Sequence, residues 1–138
     1  MEDIRKRRYV EKITLIEKRI HDINTWKEDF FEEEKSKLAC YKAMQEIIEA
    51  CMDIVSMVLK DDKRLLKDDY TNIDALEKMN FCSKDVCSAL RELNGLRNRI
   101  IHEYNGLDDR IAIESIDDLI PDIHKFLEAV KKWLEKKQ

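Results

Sequence analysis

A chain of 138 residues is long enough to bury a core of its own, and 43% apolar against 41% charged residues is the balance of amphipathic segments rather than of a disordered or membrane-embedded chain. Two glycines and one proline leave little turn-forming material, which excludes a strand-rich fold and any glycine-rich phosphate loop. A net charge of −4 means that any contact with nucleic acid must come from local clusters of Lys and Arg rather than from the whole surface.

The expectation is therefore all-α: one domain over residues 1–138, folded as an up-and-down bundle of four to five helices. The first helix is expected from about Asp3 to Asp29, because Ile13, Ile16, Ile20, Ile23 and Phe30 step by three, four and seven along one seam. His21 sits beside that seam and reads as an edge residue rather than a ligand. Glu32, Glu33 and Glu34 mark the turn into a second helix, where acids favour the positive N-terminal end. That helix covers roughly 33–60, with Leu38, Tyr41, Met44, Ile48, Cys51, Val55 and Val58 as its core stripe. Gln45, Glu49 and Asp53 form a polar ladder beside the stripe, spaced by four.

Residues 61–71 are the most polar stretch and read as a loop, followed by a short helix over about 72–79. Ser83 then caps a longer helix, with Asp85 in its first turn, running to about Tyr104. Gly95 inside it costs about 1 kcal/mol relative to alanine, which suggests a close helix crossing. Asn105-Gly106 reads as the stop. A last helix spans about 109–136 and buries Ile113, Ile116, Ile120, Ile123, Phe126, Leu127, Val130 and Leu134, with Pro121 expected to kink or divide it.

Charge is unevenly spread. Residues 103–122 hold seven acids and one arginine, whereas Arg5, Lys6, Arg7, Arg8 and Lys12 cluster at the start and Lys131, Lys132, Lys136 and Lys137 at the end. Separate patches of both signs are expected, either as ordinary solvated faces or with basic ones able to track RNA and an acidic one able to face a partner. Cys40, Cys51, Cys82 and Cys87 form no Cys-x2-Cys pair and have no histidine at ligand spacing, so neither zinc nor a structural disulfide is expected. With no apolar run of membrane length and no secretory pattern, a cytoplasmic location with no membrane contact is expected.

The chemical clue lies in residues 95–106, Gly-Leu-Arg-Asn-Arg-Ile-Ile-His-Glu-Tyr-Asn-Gly. On a helix, Val86, Leu90, Leu93, Ile100, Ile101 and Tyr104 fall on one apolar stripe, and Arg97 falls within it. A guanidinium placed there needs a carboxylate or an anionic ligand. Glu49 or Asp53 could supply the carboxylate, or the ladder could be merely a solvated edge. Asn98 and His102 share the adjoining flank.

The run Arg97-x4-His102-x-Tyr104, with Asn98 after the arginine and with Tyr41, Gln45, Glu49 and Asp53 upstream, resembles the HEPN-domain ribonucleases, in particular the HepT-type toxins of HEPN/MNT toxin–antitoxin pairs. The likeness extends along most of the chain. It implies a homodimer with a composite, metal-independent site that cuts RNA, in a type VII-like pair with a minimal nucleotidyltransferase (MNT) as antitoxin. It also implies that Tyr104 is the residue the antitoxin modifies with AMP. No cofactor is expected.

The residues themselves allow this chemistry. An imidazole exchanges a proton near neutral pH, and RNA carries its own nucleophile in the 2′-hydroxyl. Arg97 and His102 serve as phosphate clamp and proton-transfer group, but on one helix they stand about 140° and ~7.5 Å apart, which a twofold pairing of helices would remedy. Spacing alone leaves Tyr104 between a core aromatic and a group at the cleft mouth. Two other functions remain open: a non-enzymatic HEPN module binding nucleotide or protein through an anion site, and a helical dimerisation adaptor.

Overall fold

The computed structural model describes residues 1–137, and among them all regular structure is helical. Five α-helices follow in order: α1 (Asp3–Trp26), α2 (Glu34–Asp61), α3 (Asp69–Lys78), α4 (Lys84–His102) and α5 (Asp109–Lys136). Short 3-10 turns at Lys27–Asp29 and Tyr104–Gly106 follow α1 and α4.

Helix α1 buries Tyr9, Ile13, Ile16, Ile20 and Ile23, the seam that the spacing predicts. It lies antiparallel to α2, as three ion pairs running in opposite order along the two helices record: Arg19 with Glu46, Lys12 with Asp53 and Arg5 with Asp61. Phe30 plugs the connection, almost wholly buried. Helix α2 is the centre of the bundle, packed on α1, α3 and α4, and α4 packs in turn on α5. Accordingly α2 buries residues over more than one face, including Ala43, Ile47, Met52, Ile54 and Leu59 beyond the single expected stripe. Leu38, expected in that stripe, is 48% exposed, whereas Cys40 and Tyr41 beside it are buried.

Side-chain caps set three helix starts. The Asp68 carboxylate accepts from Thr71 N at 2.9 Å, Ser83 Oγ from Val86 N at 3.2 Å and the Asp108 carboxylate from Ile111 N at 3.0 Å. The Asp68 cap starts α3 at Asp69, three residues before the sequence expectation. The stops are made by residues other than glycine: Lys63 (φ 59°) and Asn80 (φ 55°) take the left-handed conformation after α2 and α3. Arg64 N returns to Leu59 O at 2.8 Å and Phe81 N to Leu76 O at 3.2 Å. Gly106 has no positive φ, so Asn105-Gly106 is not the expected left-handed stop: α4 ends at His102, before a 3-10 turn.

Two other expectations change. Helix α5 is undivided through Pro121, an exposed position where the carbonyl that loses its N–H partner can be hydrated. At Gly95, a Cβ would meet Tyr70 Oη at 3.5 Å and Arg99 Nη1 at 3.7 Å, both ordinary contacts, so no close helix crossing depends on this glycine.

Candidate active site

The last turns of α4 carry Arg97, Asn98 and His102, and a carboxylate from α2 holds Arg97. Arg97 is not enclosed in the apolar stripe. Its side chain is 28% exposed at the stripe's edge, between buried Leu93 and Leu96 on one side and buried Ile100 on the other. Its Nη2 donates to Glu49 Oε2 at 3.2 Å and its Nη1 to Asn98 Oδ1 at 3.3 Å. A guanidinium has five N–H donors in a rigid fork, so this anchoring leaves several to meet an anion.

Asp53, the other candidate carboxylate, turns to α1 and accepts from Lys12 Nζ at 2.8 Å. The ladder of α2 is thus divided: Glu49 belongs to Arg97 and Asp53 to Lys12. His102 is exposed at the end of α4, and Ile101 beside it is 39% exposed rather than buried, because the helix end projects beyond the packed stripe. Within one chain Arg97 and His102 remain on separate flanks, as the helical period requires.

The Tyr104 hydroxyl does not face solvent in the single chain. The ring packs edge-on against Tyr41, with centroids 5.1 Å apart, and the hydroxyl is enclosed without a hydrogen-bond partner among the described residues. Tyr41 is buried too, and its hydroxyl donates to Asp109 Oδ1 at 2.5 Å, while Lys37 stands 3.5 Å from the other Asp109 oxygen. Burial first, and then the bond to Asp109, push the Tyr41 phenol above its usual range. Tyr104 therefore takes the core-aromatic alternative, and Asp109 is a neighbour that spacing could not reveal.

Patches of both signs form, and the two basic runs of the sequence come together in one of them. The Met1 amino group donates to Lys137 O at 2.7 Å, and Tyr9 packs on Trp133 with centroids 5.7 Å apart. The two basic termini of the chain consequently form one end of the bundle. The opposite end gathers the acids of the α1–α2 turn and of the start of α5 around the Tyr104 turn. Among the described residues no three His, Cys, Asp or Glu side chains come together as a metal-ligand set. Cys82 and Cys87 do approach, Sγ to Sγ 3.4 Å, across the start of α4 and at a spacing of five rather than the three of Cys-x2-Cys.

The comparisons agree with this architecture. A proposed RNase of Archaeoglobus fulgidus is 39% identical over 105 residues, covering 76% of this chain and 77% of that protein. A second proposed RNase of the same organism is 29% identical over 136 residues, covering 96% and 98%. In solved structures, the tri-AMPylated Shewanella oneidensis HEPN toxin in complex with its MNT antitoxin superposes with a TM-score of 0.85 at 20% identity, over 96% of this chain and 99% of that one. The family model described as Ribonuclease HepT-like matches residues 9–130, and the chain, with its five helices and the Arg97–His102 motif at the end of α4, belongs to that family.

Proposed function

We propose that the protein is the endoribonuclease toxin of a toxin–antitoxin pair, acting in the cytoplasm as a homodimer and cutting RNA without a metal ion. What carries this reading is the anchored guanidinium: Glu49 fixes Arg97 from one side, leaving donors free on the flank next to Asn98, in a member of a ribonuclease family. Two copies meeting about a twofold axis would bring an Arg97, an Asn98 and a His102 from each into one cleft. One His102 takes the proton of the ribose 2′-hydroxyl. The 2′-oxygen forms its bond to the adjacent phosphorus, the bond from phosphorus to the 5′-oxygen breaks, and the His102 of the second copy protonates the leaving oxygen. Arg97 stabilises the charge that develops on the phosphoryl oxygens, where preorganised donors act most strongly.

Restraint by a minimal nucleotidyltransferase is part of the proposal, with Tyr104 as the AMP acceptor. An added phosphodiester and nucleoside beside His102 oppose RNA by charge and by volume. Because the Tyr104 hydroxyl is enclosed, transfer requires the Tyr104–Gly106 turn to open first. The solved neighbour is itself an AMPylated toxin bound to such an antitoxin, which supports the assignment.

The deciding experiment is cleavage of RNA by the purified protein with and without EDTA, alongside sedimentation equilibrium. The expected result is a dimer whose activity survives EDTA and vanishes in His102→Ala while helical content is kept. A strict monomer that still cuts RNA, or full activity in His102→Ala, overturns the composite site.

A further inference from the structure

Work on RNA by a chain of net charge −4 requires cations that the fold's own carboxylates have not already neutralised. Along the α1–α2 seam most are spoken for: Arg19 holds Glu46 at 3.1 Å, Lys12 holds Asp53 at 2.8 Å and Arg5 holds Asp61 at 3.3 Å. Between the last two pairs the helices border an open groove of about 490 Å³. Arg8 from α1 and Lys60 from α2 stand on its walls, both exposed and neither in an ion pair among the described residues. Of the acids in the groove, Asp61 is doubly engaged, accepting from Tyr9 Oη at 2.6 Å as well as from Arg5, and Asp53 is held by Lys12. Glu11 is the one carboxylate there without such a partner among the described residues.

The groove continues the motif. Glu49, Asp53 and Lys60 lie on one stripe of α2, so a strand passing Arg97 on its Glu49 anchor meets the Lys12–Asp53 pair next and Lys60 after it. The rise from Glu49 to Lys60 is ~17 Å, on the order of five phosphates at the ~3.4 Å spacing of a stacked strand. From Arg8 the chain of α1 carries Arg7 and Lys6 on its other faces toward the joined termini at Met1 and Lys137, past the exposed acids Asp3 and Glu2. In the other direction the surface turns acidic around Asp108 and Asp109, which would repel phosphate.

We propose that the groove between α1 and the C-terminal half of α2 is an exosite for single-stranded RNA, in which Arg8 and Lys60 hold phosphates that lie on the order of five nucleotides from the scissile bond. The exosite rests on the ribonuclease reading above and gives the substrate a direction, from Arg97 along α2 toward the basic end. Short RNA occupies Arg97 and His102 alone, and longer single strands gain the groove.

The test separates binding from cleavage. In His102→Ala protein, fluorescence anisotropy is measured with a single-stranded RNA of about twelve nucleotides across a salt series, with and without the added pair Arg8→Gln and Lys60→Gln. Loss of two phosphate contacts is expected to weaken binding about tenfold and to flatten the slope of log Kd against log salt by ~1.4, at ~0.7 per contact on a single strand. With His102 intact, the same pair should leave kcat/KM for a trinucleotide unchanged. Lys18→Gln with Lys78→Gln, the same change of charge at exposed positions elsewhere, should leave affinity for the long RNA unchanged.

An unaltered Kd and slope in the Arg8/Lys60 pair overturn the exosite, as does an equal loss in the Lys18/Lys78 pair. A wild-type chain without measurable affinity for the long RNA at low salt overturns it too. Failure of the nuclease reading has a different signature: wild-type protein that binds RNA in an Arg8- and Lys60-dependent way yet never cuts it, which upholds the exosite.

Discussion

Glu49→Gln removes a charge from the Arg97 anchor while keeping its shape, and the structure sets how much should follow. The two groups stand 3.2 Å apart with side chains 28% and 38% exposed. Unit charges ~4 Å apart attract by about 1 kcal/mol in water and about 4 kcal/mol at an effective dielectric constant of ~20. With a third of each side chain in solvent, screening and the entropy of holding two flexible chains reduce the pair to about 1 kcal/mol or less, a loss of roughly 3 °C in Tm for a chain of this size. Activity should fall further than stability. An Arg97 no longer held by an ionised partner samples orientations that miss the phosphate, and a 10- to 100-fold fall in kcat/KM corresponds to only about 1.4 to 2.7 kcal/mol of transition-state stabilisation. Asp53→Asn is the matched control, because it releases Lys12 rather than Arg97. The assay is thermal melting beside kcat/KM on a trinucleotide, which does not reach the α1–α2 groove. Equal damage from the two substitutions, or full activity in Glu49→Gln, refutes the assignment of Glu49 as the residue that positions Arg97.

Gly95→Ala should raise stability by about 1 kcal/mol through helix propensity, since its methyl group meets only ordinary contacts; a lower Tm would show that α4 needs the glycine after all. Tyr104→Phe removes an enclosed hydroxyl without a partner, so Tm should hold or rise by up to about 1 kcal/mol equivalent, while intact mass after exposure to the partner transferase and ATP shows no AMP adduct. An adduct mapped to Tyr9, Tyr41 or Tyr70 in the wild type would remove Tyr104 from the mechanism. Stability should also decline in alkali. Burial pushes Cys40 up to about 11 and Cys51 up to about 12 from an ordinary 9.0, so above that pH the unfolded chain loses protons that the folded chain keeps. A folded value above the unfolded one means stability intact below pH 9 and falling as pH rises toward 11 and 12, by up to about 1.4 kcal/mol per pH unit for each thiol. Denaturant midpoints at pH 8, 9, 10 and 11 measure it, and Cys51→Ala should lessen the slope; a flat profile would contradict the burial of both thiols.

Helix content, the buried face of α1 and the cap at Ser83 were all legible in the sequence, because each depends on residues within a few turns of one another. So was the motif, since Arg97, Asn98 and His102 lie on a single helix and their spacing is local. The sequence also limited the carboxylate beside Arg97 to two candidates on α2. Which of them pairs depends on the rotation and register of α2 against α4 and α1, and packing alone decided for Glu49 and sent Asp53 to Lys12. Tertiary structure likewise enclosed Tyr104 against Tyr41, left Leu38 and Ile101 in solvent where periodicity buried them, and ended α2 on a left-handed lysine that no propensity marks. Charge shows the division most clearly. Net charge and the basic runs at the two termini are properties of the string, but Met1 and Lys137 stand 136 positions apart, and only the closing of α5 beside α1 makes them one surface.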